Sequence, residues 1–373
     1  MLIKDLEAIV NGETWSSRKT LAQCVNVIEE TPDVKTFQFK AIDGQLFHFK
    51  PGQFIGIQLE INGEKHNRSY TIASSPTRPH LLHLTIKKDE DGVISPWLHE
   101  NIIKGSEIEL RGPAGSFNCV DVNYNPASDK VLLISAGSGI TPLMSMTRFW
   151  TDMGSDHCIH FINWARSTQD IIFRRELSLL DQNYKNFNLE VILTNPGLTE
   201  NWLGKRGRIT TNLLSDLVAD IKSMTVFCCG PEGFMDQVKK ILESLDFDMN
   251  YYHDESFDPG GKKKAKTQNQ ASIASDENNG QKENNTGPFN VKLKKSGRSF
   301  LIESNDILLE KLEEEKVSPR PSCRAGNCGC CQVKKISGET LTQNENGLMK
   351  DEKEDGFILT CTTTVHSDIE LDL

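Results

Sequence analysis

No stretch of the 373-residue chain approaches the roughly 18 consecutive apolar residues of a membrane span. Basic residues are in deficit. Lys and Arg total 42 against 52 Asp and Glu, a formal charge of −10, which argues against nucleic acid or an anionic membrane as partner. Met1 to Glu7 carry acids where a signal peptide needs a basic stretch and then an apolar core, so a cytoplasmic location is expected. The nine His show no H-E-x-x-H spacing, and no Ser-His-Asp or paired-carboxylate constellation is needed for the chemistry derived below. What is present is a globular balance, 37% hydrophobic and 25% charged residues, and ten Cys. In a cytosolic chain those Cys read as metal ligands or redox groups rather than disulfides.

The length argues for more than one domain. Residues 258–288 hold a single Ile and no Leu, Val, Phe, Tyr or Trp, too little apolar surface to offset ordering entropy, so they read as a polar, flexible linker. Residues 1–19 form an N-terminal extension. Residues 20–124 read as an all-β barrel, with short alternating runs such as Val34–Phe39 and Leu82–Ile86 between turn signals such as Asp43-Gly44 and Pro51-Gly52. Residues 125–257 alternate apolar runs (Val131–Ile134, His160–Asn163, Leu189–Leu193, Thr225–Cys228) with helical patterns such as Gly233–Leu245, which predicts an α/β domain with a parallel sheet. Residues 289–373 suffice for one small domain.

The sharpest chemical signal is Cys323-x4-Cys328-x2-Cys331, with Cys361 further along. Four thiolates so spaced suit one 2Fe–2S cluster, the first three on one loop and the fourth from a remote strand. Arg324, Gly326 and Gly329 fit a loop that bends tightly and points N–H groups at sulfur. Cys328-x2-Cys331 alone would also suit zinc or a redox dithiol, but zinc ligand pairs come as two clusters and the flanks lack a strand-to-helix pattern. Cys330 is an extra thiol, read as a small filler. With Asp306–Glu315 as a helix and Ser337-Gly338-Glu339 after the loop, residues 289–373 resemble a plant-type ferredoxin domain, which implies an α+β β-grasp fold.

Arg68-Ser69-Tyr70-Thr71, followed by Ala73-Ser74-Ser75-Pro76, resembles the R-x-Y-[ST] flavin signature of the ferredoxin reductase family. A guanidinium fork suits a phosphate, and a Tyr ring can stack on the flavin while its hydroxyl finds a polar partner. Alone, four residues would match an ordinary strand. Pro51-Gly52-Gln53-Phe54 precedes them and Gly112-Pro113-x-Gly115-x-Phe117 follows, as in that family. The resemblance implies that Thr71 faces the flavin N5. It also implies that Gly92, Val93 and Ser95, within Gly92–His99, bind a pyrophosphate at a helix start, which favours FAD over FMN. Ile86 and Lys88 join the candidate flavin contacts.

Val131–Ala136 runs into Gly137-Ser138-Gly139-Ile140-Thr141-Pro142 and then a helix from near Leu143. Gly permits close backbone approach and a helix N-terminus supports a phosphate, so Gly137, Gly139, Thr141 and Pro142 are nicotinamide-site candidates. Cys228-Cys229-Gly230-Pro231 opens another helix and matches the C-G-P segment of ferredoxin reductases. That match implies Cys229 near the nicotinamide C4, with Gly230 and Pro231 beside it, and leaves Cys228 as a buried strand residue. Arg166 would touch the ribose or its phosphate, or form a surface ion pair. No acid stands at that strand end, so NADH is favoured on family grounds with NADPH open. Phe257, with Glu255 nearby, would cover the flavin, or else be a core residue of a last strand.

The order of the three domains resembles phthalate dioxygenase reductase-type proteins. Within that class the segments Ser167–Arg174 and Asn201–Ile209 resemble reductases of the hybrid-cluster protein and reductase components of Rieske-type demethylases acting on betaine-like substrates. The resemblance implies hydride transfer from NADH to flavin, single-electron transfer to the cluster, and delivery to a protein acceptor. The hybrid-cluster protein is taken as the first expectation and a Rieske-type oxygenase as the alternative. A stand-alone diaphorase is the competing reading from another class. A monomer is expected.

Overall fold

A computed structural model describes residues 19–197, 201–257 and 287–373, apart from 318, 320–323, 325, 327, 328, 330, 346 and 349. It divides into two compact units at Asp258/Pro259. No helix among the described residues is long and apolar enough to cross a membrane.

The first unit opens with strands β1 (Lys19–Thr31), β2 (Val34–Ala41), β3 (Phe54–Ile61), β4 (Glu64–Thr71) and β5 (Leu82–Lys87), helix α1 (Ile94–Asn101) and strand β6 (Glu107–Ala114). The strands form one sheet in the order β4-β3-β6-β1-β2-β5. All its pairings are antiparallel, and an isolated bridge between Ile72 and Leu84 draws its two edges together. Alternate residues face inward, and Phe37, Phe39, Ile55, Ile57, Leu82 and Leu84 are buried in the interior.

Next come β7 (Lys130–Ala136), α2 (Ile140–Asp152), β8 (Cys158–Ala165), α3 (Arg174–Asn183), β9 (Phe187–Leu193), α4 (Thr211–Leu217), β10 (Thr225–Cys229), α5 (Glu232–Ser244) and β11 (Tyr252–Glu255). They form a parallel sheet in the order β11-β10-β7-β8-β9. The near-continuous apolar strands are explained by burial on both faces. Val131, Leu133, Phe161 and Phe227 pack with Leu143 and Leu177 on one side. Leu132, Ile134, Ile162 and Val226 pack with Met235, Val238 and Ile241 on the other. The first of these cores also takes in Val34, Ala73, Phe117 and Cys119, so it runs unbroken from the parallel sheet into the barrel. Helix α2 starts at Ile140, a turn earlier than the expected Leu143, because Gly137–Gly139 already coil into a 3-10 turn that feeds it.

The second unit comprises β12 (Phe289–Leu293), β13 (Ser299–Ile302), α6 (Leu308–Glu314), β14 (Gln332–Ser337), β15 (Thr340–Thr342), α7 (Lys350–Glu354), β16 (Phe357–Leu359), β17 (Thr363–Val365) and β18 (Ile369–Leu371). The main sheet runs β13-β12-β18-β14-β16, with β12 and β18 parallel and the other pairs antiparallel. Leu308 and Leu312 of α6 pack on Val291, Leu293 and Ile369, giving the mixed sheet and covering helix of a β-grasp. Most of the 258–288 segment and the N-terminal extension lie outside the described residues.

Candidate functional site

Arg68, Ser69, Tyr70 and Thr71 end β4, a strand at the sheet edge, opposite Ile57, Gly56, Ile55 and Phe54 of β3. Thr71 is buried and Tyr70 half-buried. Desolvation pushes the Tyr70 phenol well above its ordinary range, with Arg68 opposing, so the ring stays neutral at any working pH. The Arg68 guanidinium donates to the Phe257 carbonyl at 3.4 Å, which brings the last described residue of the α/β domain onto the flavin motif. Ile86 is buried on β5, and Lys88 just beyond it pairs with Glu100 at 3.0 Å. At the start of α1, Gly92 donates its N–H to the Asp89 carbonyl at 2.9 Å, and the Ser95 hydroxyl accepts from the Asp89 N–H at 3.0 Å. The Ser95 oxygen therefore orders the turn, while its proton stays available for donation. Val93 is the residue that enters the helix.

The nicotinamide candidates gather at the carboxyl ends of β7 and β10, adjacent strands between which the chain order of the sheet reverses. In open α/β sheets this is where ligands bind. A Cβ on Gly139 would lie 2.3 Å from the Cys229 carbonyl oxygen and 2.6 Å from the Gly230 nitrogen. Only glycine permits the two loops to touch. Thr141 caps back onto the Ser138 carbonyl at 3.0 Å, and Pro142 is buried in the first turn of α2. Pro231 sits at the N-cap of α5. Cys229 is fully buried on the α2 side of the sheet and Cys228 on the α5 side. Burial, reinforced by the charge of Glu255 on the neighbouring strand, raises the Cys229 thiol well above its usual value. It is a neutral, buried packing group, not a thiolate nucleophile. Arg166 is exposed just past β8, and beside it Trp202 packs on Ala165, Ile171 and Leu193.

Arg148, in the middle of α2, is buried at 8% exposure. Its guanidinium grips Glu176 of α3 through two bonds of 2.8 and 2.6 Å and donates to the Ala73 carbonyl. It lies 4.7 Å from the centre of the Phe173 ring. Phe173 holds a left-handed φ of 57°, a strained setting for a non-glycine residue. Ser145, one turn earlier, donates to the Ser74 carbonyl at 2.7 Å. Burial would raise the Glu176 carboxyl, but the Arg148 bonds and charge outweigh it and hold it low. A lone Arg inside the apolar run Leu143–Trp150 was the available signal.

In the second unit Cys331 and Cys361 are buried at 2% and 8% exposure among Leu309, Leu348 and Leu359. The Cys331 carbonyl accepts from the Thr360 N–H at 3.3 Å and its hydroxyl at 3.0 Å, which laces the loop end to the 3-10 turn Thr360–Thr362 between β16 and β17. Cys361 therefore stands in that turn and not in the expected strand, because the chain coils between the two short strands. Gly326, with φ at 73°, would place a Cβ 2.4 Å from the Asn344 carbonyl oxygen. The Gly326 carbonyl in turn accepts from the Gly347 N–H at 2.7 Å, and Thr362 donates to Asn344 at 2.8 Å. Arg324 pairs with Glu313 of α6 at 2.6 Å. Cys323, Cys328 and Cys330 lie outside the described residues. Two thiols in an apolar, hydrogen-bonded pocket fit the thiolate chemistry of an iron–sulfur cluster.

Comparison with known proteins agrees segment by segment. Residues 22–119 match the family described as oxidoreductase FAD-binding domain, residues 133–240 the oxidoreductase NAD-binding domain, and residues 291–366 the 2Fe-2S iron-sulfur cluster binding domain. The glycine betaine monooxygenase reductase subunit of Chromohalobacter salexigens is 38% identical over 97% of this chain and 98% of its own length. The stachydrine N-demethylase reductase subunit Stc4 of Rhizobium meliloti is 34% identical over 93% of this chain and 94% of its own. The NADH oxidoreductase HCR of Escherichia coli is 30% identical over 94% of this chain and 96% of its own. The solved phthalate dioxygenase reductase shares the fold, with a TM-score of 0.55 and 21% identity over 95% of this chain and 98% of its own. The chain thus belongs to the family of NAD(P)H oxidoreductases that join an FAD-binding barrel, an NAD-binding α/β domain and a 2Fe–2S domain in one polypeptide.

Proposed function

We propose that this chain is the reductase component of an oxygenase that acts on betaine-like quaternary ammonium compounds, drawing electrons from NADH. The observation that carries this choice of acceptor is the ranking of relatives. Identity to a glycine betaine monooxygenase reductase subunit, 38% over 97% of this chain, exceeds identity to the NADH oxidoreductase HCR, 30% over 94%. The preference thereby moves from the hybrid-cluster protein to the oxygenase.

Bound flavin supplies the conversion between a two-electron hydride donor and a one-electron carrier. The chain's own residues do the positioning. Arg68 would hold the flavin phosphate, and Phe257, which packs on the core shared by sheet and barrel with its carbonyl on Arg68, would border the flavin. Thr71 would order the flavin edge where hydride arrives. Gly139 and Cys229–Gly230, in mutual contact, form the floor of the nicotinamide site. Cys331 and Cys361, with Cys323 and Cys328, hold the cluster. Catalysis of this kind is alignment rather than acid–base chemistry.

The test is anaerobic electron delivery. NADH-reduced protein is mixed in turn with a purified betaine-type oxygenase component and with a hybrid-cluster protein, and acceptor reduction is followed by absorbance. Faster delivery to the oxygenase is expected. Faster delivery to the hybrid-cluster protein would reverse the assignment.

A further inference from the structure

The geometry points to Arg148 as a positioning residue for hydride transfer, with helix α2 acting as a rigid spacer between the flavin loop and the nicotinamide loop. The inference rests on placing Thr71 and Cys229 at the hydride junction.

Helix α2 and its N-cap reach both loops. At its start, Gly139 is pressed against the Cys229–Gly230 backbone, closely enough that a Cβ would collide at 2.3 Å. About 14 Å further along, at the rise of a helix, stands Arg148. There the helix holds the chain that follows Thr71. Ser145 donates to the Ser74 carbonyl at 2.7 Å and Arg148 donates to the Ala73 carbonyl. Ala73 is two residues from Thr71 and fully buried. One unbroken helix therefore fixes the separation of the two candidate hydride-handling positions.

A carbonyl alone does not need a buried guanidinium. The remaining contacts explain why Arg is there. Glu176 takes two of its N–H groups, at 2.8 and 2.6 Å, and the Phe173 ring covers its face. The planar fork is satisfied on three sides and cannot swing, so the bond to Ala73 has a fixed direction. A Lys would keep the charge but not the fork. The lost rigidity would let the Thr71 end of the loop drift relative to the Cys229 loop. Displacements on that scale reduce the fraction of bound NADH in a reactive alignment without weakening its binding.

The experiment uses the flavin-loaded full chain. Stopped-flow flavin reduction by NADH is measured for Arg148→Lys and Glu176→Gln, with Cys229→Ala alongside. Amide hydrogen exchange over residues 73–78 is recorded on the same proteins without NADH. Arg148→Lys should slow flavin reduction at saturating NADH at least 10-fold while the NADH dissociation constant stays within about threefold. Exchange over 73–78 should accelerate in step. Glu176→Gln should show both effects more weakly, and decides the matter if Arg148→Lys fails to fold. A wild-type reduction rate in a folded, flavin-loaded Arg148→Lys protein overturns the inference. So does a slowing that disappears once lost flavin or weaker NADH binding is taken into account. If Cys229→Ala also reduces at the wild-type rate, the junction itself is misplaced. If Cys229→Ala is slow and Arg148→Lys is not, only the spacer role fails.

Discussion

At the scale of single residues, glycines separate into those that permit contact and those that do not matter. Gly139→Ala would drive a methyl into the Cys229 carbonyl, a backbone group that cannot swing aside. We expect a loss of at least 1–3 kcal/mol in guanidinium unfolding of the first unit, the usual cost of overpacking. Gly233→Ala is the control. Its Cβ would meet nothing within 4 Å inside α5, and a gain of about 0.5–1 kcal/mol is expected. Equal effects at the two positions would contradict the close packing of the nicotinamide loops. On the ferredoxin side, Cys331→Ser or Cys361→Ser should abolish the cluster and Cys330→Ser retain it. Iron analysis and the visible spectrum report this directly, and an iron-replete Cys331→Ser protein would reassign the ligand.

Elements show how much the sequence can say. The strand runs Val131–Ile134 and Thr225–Cys228 were legible because a parallel strand buried on both faces has no polar face to confuse the pattern. Their C-terminal ends, where Gly137, Gly139 and Cys229 cluster, were legible as loops. The clamp between α2 and the barrel was not. It joins Ala73 to Arg148, 75 residues apart, and no local periodicity reports such a pairing. The start of α2 was missed by a turn because Pro142 suits the first turn of a helix as well as a loop.

Acid stability belongs at this scale too. Burial, with the Arg148 charge adding to it, lowers the His83 imidazole from 6.5 to about 4. His99, His157, His160 and His253 are also depressed, burial being the largest cause in each. A depressed His pKa means that the unfolded chain binds the proton first. The stability it contributes is present above pH 6.5 and is lost as pH falls toward 4, by at most roughly 3 kcal/mol for His83. Glu30, raised by burial, acts in the opposite sense. In the first unit, His83→Gln should therefore flatten the decline of stability between pH 6.5 and 4. An unchanged slope would show that His83 titrates normally.

For the whole molecule, the compositional break at Asp258 coincides with the division into two compact units, and the motifs for flavin and nicotinamide all precede it. A chain lacking residues 258–373 should remain a folded flavoprotein that reduces ferricyanide with NADH and fails with one-electron protein acceptors. An insoluble or flavin-free product would show that the first unit depends on the second.

The central claim is that one polypeptide carries NADH electrons through flavin to a single 2Fe–2S centre. Anaerobic titration of the full chain with NADH, read by visible absorbance and low-temperature electron paramagnetic resonance, tests it most directly. Bleaching of the flavin bands together with the signal of one reduced 2Fe–2S centre per chain is expected. Flavin bleaching with no iron–sulfur signal, or NADH that leaves the flavin oxidised, would contradict it.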